Sequence, residues 1–309
     1  MNQCDEILTQ VKKAFVGKKD VARKILMTML AGGHVLLEDI PGVGKTTLAV
    51  AFSNATDLQY KRIQFTPDVL PSDITGFSLY HRETGAMEYQ PGAAICNLLL
   101  ADEINRASSR TQSALLEAME EGSVTVDGVT HLIPQPFTVI ATQNPTGSAG
   151  TQLLPDSQLD RFMVRLSIGY PEPAAEREML RRKHGENRGQ SVQKVTDAQA
   201  LRAMRDEVSR VFVHGDIYDY IVRLAHATRE HKSIRQGASP RCSVAVMALA
   251  QACAWMDGRD YVVPEDVKAI YPDCTAHRLL LTAQAKAQGV QPRELLDEIL
   301  RKTPAPKIR

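Results

Sequence analysis

Short apolar runs alternate with helix-period stretches through the first half of the chain. HVLLED (34–39) is a continuous apolar run ending in two acids, the pattern of a strand covered on both faces. A glycine turn follows, and then a helical pattern from Lys45 through KTTLAVAFSNA. LQYKRIQF (58–65), NLLLADE (97–103) and PFTVIATQN (136–144) read as further strands. Between the last two, RASSRTQSALLEAMEEG brings Ala114, Leu115, Ala118 and Met119 onto one face of a helix that Gly122 ends. Strands alternating with helices predict a parallel sheet whose ligand groups collect at the carboxyl ends of the strands.

Two stretches break that rhythm. SLYHRETGAMEYQ (78–90) reads as a hairpin turning around Glu83–Gly85, and SVTVDGVTHLI (123–133) carries the Asp127-Gly128 turn between alternating strands. After Tyr170-Pro171-Glu172-Pro173, where two prolines exclude a helix interior, the spacing is helical throughout. The prediction is an α/β domain over residues 1–171 with hairpin inserts at about 76–92 and 123–134, then a small all-α domain over 174–309. In the latter, Ser239-Pro240-Arg241 is a helix start with a capping hydroxyl and proline at the first position. SVAVMALAQACAW after it reads as the central helix of a bundle.

Composition narrows the class without naming a function. The 309 residues are 43% hydrophobic and 24% charged, ordinary for a soluble globular chain. A net charge of +1 provides no global field towards nucleic acid or a membrane surface. No apolar run approaches the roughly 18 residues of a spanning helix, and MNQCDEILTQ has no signal-peptide pattern. Cysteines 4, 96, 242, 253 and 274 are scattered and odd in number, as expected of packed, reduced thiols in a cytoplasm. The eight histidines show no metal-binding spacing.

The chemistry begins after the first strand. In Gly42-Val43-Gly44-Lys45-Thr46 two glycines let backbone N–H groups turn inward as an anion nest, and the helix starting there adds its positive end. Lys45 is placed for the β- and γ-phosphates of a nucleotide and Thr46 for Mg²⁺. The usual G-x-x-x-x-G-K-[ST] template asks for glycine at position 39, where this chain has Asp39. Aspartate tolerates positive φ, or its carboxylate bonds nearby backbone; in either case Asp39→Gly is expected to leave ATP binding intact. LLLADE then puts Asp102 at a strand end to hold Mg²⁺ through water, and Glu103 as general base for the attacking water. Asn144, ending the next strand, is placed to position that water.

Arginine supplies charge where phosphoryl transfer spreads it. Arg161 in LPDSQLDRFM is either such a group or an ion-pair partner of Asp160 or a neighbouring acid. Arg241 in GASPRC stands at a helix N-terminus, where a cation is disfavoured unless something offsets it. Arg106 is either a contact to a neighbour's nucleotide or solvated, and Glu117, Glu120 and Glu121 read as a solvated face.

Taken in order, LLEDIPGVGKT, TPDVLPSDITG, LLLADEINRASSRTQSALLEAMEE, VIATQNP, LPDSQLDRFM and GASPR resemble the MoxR family of AAA+ ATPases, over nearly the whole chain. The resemblance implies a P-loop NTPase αβα sandwich followed by a helical lid, with ATP and Mg²⁺ as cofactors. It implies Walker A at Gly42–Thr47, Walker B at Asp102 and Glu103, sensor 1 at Asn144, an arginine finger at Arg161 and sensor 2 at Arg241. Val16, Gly17, Pro41, Val43 and Thr47 would join the nucleotide contacts, and Thr46 with Asp102 the metal. It further implies a homo-oligomeric ring, usually a hexamer, with Arg161 acting in trans and both hairpins facing the pore. Relatives remodel protein partners, often ones with von Willebrand factor A domains. Where members often read F-E-F-R-P-G-P, this chain has Met87-Glu88-Tyr89-Gln90-Pro91-Gly92-Ala93, which loosens inference about substrate contacts.

Other classes fit less well. A helicase-like nucleic-acid motor lacks a basic-aromatic stripe. A GTPase switch has Asp73-Ile74-Thr75-Gly76 as a D-x-x-G mimic but no N-K-x-D motif after it. A scaffold without turnover does not need both Glu103 and Arg161.

Overall fold

In the computed structural model, which describes residues 3–40, 42–83, 85–144, 154–184 and 191–307, α1 (Gln3–Ala14) and α2 (Lys19–Leu30) lead into β1 (Val35–Glu38) and α3 (Lys45–Thr56). Next come β2 (Tyr60–Gln64), α4 (Pro71–Thr75), the pair β3 (Gly76–His81) and β4 (Ala86–Pro91), β5 (Leu98–Asp102) and α5 (Ser109–Glu121). The pair β6 (Ser123–Val126) and β7 (Val129–Leu132), then β8 (Thr138–Gln143), α6 (Asp156–Leu159) and β9 (Val164–Leu166), complete this half.

Five strands form one parallel sheet in the order β2-β5-β8-β1-β9. Its central strands are apolar without a break because both faces are covered. Leu36, Leu99, Ala101, Val139 and Ala141 point towards α5, into a cluster with Leu115 and Met119. Val35, Leu37, Leu98, Leu100 and Ile140 point the other way, onto residues of α1, α2 and α3. Three-residue β9 escapes periodicity analysis, yet Val164 and Leu166 are buried beside Val35 and Leu37.

Both hairpins stand outside the sheet, as their turn signatures predict. Asp127 (φ 50°) and Gly128 (φ 80°) are both left-handed, as a tight type I′ turn requires. Tyr89 of β4 stacks on His131 of β7 at 3.6 Å between ring centroids, so the two hairpins meet.

The rest of the chain is helical: α7 (Pro173–His184), α8 (Ala198–Ser209), α9 (Gly215–Glu230), α10 (Pro240–Met256), α11 (Pro264–Thr275), α12 (Ala283–Ala287) and α13 (Pro292–Lys302). Among the described residues it adds strand pairing to the all-helical expectation, including an isolated bridge between Phe212 and Tyr261. A short antiparallel ladder joins β10 (Ile234–Gln236) to β11 (Leu280–Leu281). The Ser239 hydroxyl accepts the Cys242 N–H at 3.2 Å and caps α10 as the sequence predicts, an interaction worth about 1 kcal/mol. Leu201, Leu249 and Ile270 from these helices extend the apolar cluster that begins on β1. Among the described residues no helix is long and apolar enough to cross a membrane.

Candidate nucleotide site

The sheet order does what the linear sequence cannot: it sets β8 between β5 and β1. The loop after β1, the acids ending β5 and the residue following β8 therefore share one edge, at a point where the chain reverses its direction of strand addition.

At the loop, Gly42 (φ 85°) and Gly44 (φ 92°) are both left-handed, and Gly44 caps the first turn of α3. A Cβ at Gly42 would meet nothing within 4 Å, so the concavity of N–H groups is open. Pro41 lies outside the described residues. Val43, Lys45 and Thr46 are half-buried and Thr47 is exposed. The Lys45 ammonium donates to the Asp39 carbonyl at 2.9 Å. Burial pushes its pKa down, while the charges of Asp39, Asp102 and Glu103 pull it back up.

Asp39 is not in the left-handed region, so the conformational reason for tolerating it does not apply. The second reason does. Its buried carboxylate accepts from the Ser167 hydroxyl (2.9 Å), the Ile168 N–H (2.6 Å) and the Gly169 N–H (2.9 Å). The aspartate thus ties the loop to the segment after β9. That segment, with Val16, Gly17, Gly42, Val43 and Met179, lines a cavity of about 300 Å³ beside the loop, a volume at the lower end for a small-molecule site. The Phe15 ring lies under both Gly17 and Gly44; a Cβ at Gly17 would come within 2.3 Å of it.

A residue the sequence reading passed over organises the two acids. The Thr142 hydroxyl, on β8, donates to Asp102 Oδ1 at 2.6 Å and accepts the Glu103 N–H at 2.9 Å. Glu103 has φ 56°, a strained conformation for a non-glycine residue of the kind concentrated at functional sites. Arg62 donates to Asp102 Oδ2 at 2.8 Å, and Arg106 pairs with Glu103 at 3.1 Å. Arg106 is exposed and pairs with the acid of its own chain. Asn144 follows β8 and its carbonyl accepts from Asn105 Nδ2 at 3.4 Å.

Arg161 and Arg241 are not brought to this edge. Met163 N–H bonds the His34 carbonyl at 2.9 Å, which sets the Arg161 turn beside the start of β1. The loop follows the end of β1, roughly 15 Å away at about 3.3 Å per residue. Arg241 stands with Arg161, apart from the loop of its own chain. Both pair with one acid, Glu120: Arg161 through Oε2 at 3.1 Å and Arg241 through Oε1. Asp160 pairs instead with Arg278, at 2.8 Å. Glu117 and Glu121 are exposed as expected, but Glu120 is not simply solvated.

Comparison with known proteins decides the family. Residues 34–164 match the ATPase family associated with various cellular activities (AAA), and residues 226–299 match the AAA lid domain. The chain is 45% identical to the uncharacterized protein YeaC of Bacillus subtilis, over 97% of this chain and 93% of that one. It is 38% identical to Chaperone MoxR1 of Mycobacterium tuberculosis, over 98% and 82% of the two chains. A crystal structure of a candidate ATPase from Cytophaga hutchinsonii superposes with TM-score 0.93 at 38% identity, over 99% and 96%. This chain belongs to the MoxR family of AAA+ ATPases.

For a MoxR-family ATPase the donor set fits the expected cofactors. The Thr46 hydroxyl and Asp102 carboxylate are hard oxygen ligands of the kind Mg²⁺ takes; with Thr142 on Oδ1 and Arg62 on Oδ2, Asp102 would hold the ion through water. The glycine cradle, open at Gly42 and leading into a 12-residue helix, suits a polyphosphate.

Proposed function

We propose that the protein works as a homo-oligomeric ring, hexameric, in the cytoplasm. Each ATP is held by the Gly42–Thr47 loop and the Val16–Gly17 wall of one subunit. Its γ-phosphate is met by Arg161 and Arg241 of the next. Within the first subunit Lys45 neutralises the β- and γ-phosphates, Glu103 takes a proton from the attacking water and Asn144 orients that water. Thr46 and Asp102 would hold Mg²⁺, which when bound offsets phosphate charge. Hydrolysis drives remodelling of a protein partner carrying a von Willebrand factor A domain.

One observation carries the trans assignment: both arginines lie at the sheet edge opposite their own loop. Five unbridged, buried cysteines support a reducing compartment. The name of the relative Chaperone MoxR1 supports a protein substrate. The helicase-like reading is not favoured, given a net charge of +1 and a relative named Chaperone MoxR1 that matches over 98% of this chain.

The test mixes two inactive proteins. Arg161→Ala and Lys45→Ala subunits are each expected to be inactive as pure rings and to recover turnover together, because a mixed interface joins an intact loop to an intact finger. No recovery at any ratio removes the trans assignment. For the partner, the Glu103→Gln protein with ATP should retain a von Willebrand factor A domain that the Lys45→Ala protein does not.

A further inference from the structure

Glu120 stands at the C-terminal turn of α5, where the helix dipole disfavours an acid, and Arg241 at the N-terminal turn of α10, where it disfavours a base. Each misplaced charge offsets the other, and Arg161 joins them. We propose that Glu120 is a positioning residue for the trans half of the site, its one carboxylate gathering two arginines so that both present to a single phosphate of the neighbouring subunit. This rests on the ring reading above.

The geometry suits that role better than simple reinforcement. Glu120 gives one oxygen to each guanidinium, Oε2 to Arg161 Nη1 and Oε1 to Arg241 Nη2. A guanidinium has five N–H donors, so most remain available to a phosphate. Two guanidinium groups side by side repel; a carboxylate between them removes that repulsion before an anion arrives. The three side chains are 31–47% exposed, and ion pairs so exposed add little to stability. Accessibility is what a contact to another subunit requires.

The carboxylate is itself fixed in place. His34 is buried, and its Nδ1 accepts the Val139 N–H at 2.9 Å, which leaves Nε2–H to donate to the Met119 carbonyl at 3.1 Å. That bond anchors the last turn of α5 one residue before Glu120, and Gly122 (φ 62°) ends the helix just beyond. A cavity of about 160 Å³ lies among His34, Met119, Glu120, Arg161 and Arg241. His34 immediately precedes β1, the strand that ends in the nucleotide loop. The same strand therefore supports a subunit's own loop at one end and the arginines it lends at the other.

Steady-state ATPase kinetics on Glu120→Gln and Glu120→Asp, with Arg161→Ala beside them, test the proposal. Glu120→Gln is expected to lower kcat by about 10- to 100-fold while KM for ATP stays within about twofold, since the loop that binds ATP is untouched. Glu120→Asp, which keeps the charge, should recover part of kcat. Mixed with Lys45→Ala subunits, Glu120→Gln should regain turnover, because its intact loop then faces an unaltered Glu120. A defect confined to folding or to the subunit's own loop is not rescued this way, so absence of rescue overturns the proposal. Parental kcat in Glu120→Gln overturns it too, provided Arg161→Ala is impaired. If Arg161→Ala itself turns over like the parent, the ring reading fails, and this inference with it.

Discussion

The Asp39 carboxylate accepts the Ile168 backbone N–H at 2.6 Å, joining residues 129 apart in sequence. The aspartate where a phosphate loop commonly has glycine is thus a buried tether between the loop and the wall of the neighbouring cavity. Removing it as Asp39→Gly leaves the Ile168 and Gly169 N–H groups and the Ser167 hydroxyl without their acceptor, at a cost of about 2–4 kcal/mol. ATP binding should survive at low temperature, since Gly42 and Gly44 are unchanged. Urea unfolding with and without nucleotide checks both parts. Unaltered stability would mean that the tether contributes nothing.

Gly17 has the Phe15 ring against it, closer than any Cβ can come. Gly17→Ala must push that ring, which also lies beside Gly44, out of its buried place. The expected result is a several-fold rise in KM for ATP, on the order of 1 kcal/mol, with kcat little changed. Isothermal titration with ATP distinguishes this from a catalytic defect; equal affinity for both proteins would contradict it.

Glu103→Gln keeps the shape of the side chain and its backbone bond to Thr142 but removes the basic carboxylate. Turnover should fall by about 10²–10⁴-fold while nucleotide affinity holds. Phosphate release paired with fluorescent-nucleotide binding measures the two separately. Parental turnover in this variant would refute the base assignment.

His34 makes stability depend on pH. Burial, assisted by the Arg205 charge, lowers its pKa from 6.5 to about 4. Between those values the unfolded chain binds a proton that the folded chain refuses. The stabilisation is complete above pH 6.5 and is lost as pH falls towards 4, at most about 3 kcal/mol. His34→Asn should flatten that part of the profile in thermal unfolding between pH 5 and 7.5. Buried His277, also held well below its ordinary pKa, keeps a residual slope of the same sign. An identical slope in both proteins would exclude His34 as a source.

Much of the site was legible because its parts are local. A glycine loop, two acids ending an apolar run and a capped helix at Ser239 are each specified by neighbours within a few positions, through backbone freedom, burial and capping. The strand Val164–Leu166 was not legible, being too short for any period. The ladder between Ile234–Gln236 and Leu280–Leu281 was equally hidden, since pairing across some 45 residues leaves no local trace. Glu120 illustrates the same limit: on its helix it is one of three acids, and nothing in LLEAMEE distinguishes it from Glu117 or Glu121.

By itself, then, the sequence determined which groups are available for nucleotide chemistry and which elements carry them, because residue type and short-range spacing decide both. Only the tertiary structure decided how they are shared out. Strand order brings Lys45, Asp102, Glu103 and Asn144 to one edge of the sheet, while the Met163–His34 bond and the shared Glu120 set Arg161 and Arg241 at the other. Thr142, Asp39 and Glu120 acquire their roles from partners 39 to 130 residues away. Packing of a two-sided apolar sheet makes those meetings, and a long-range hydrogen bond has no signature until the sheet has formed.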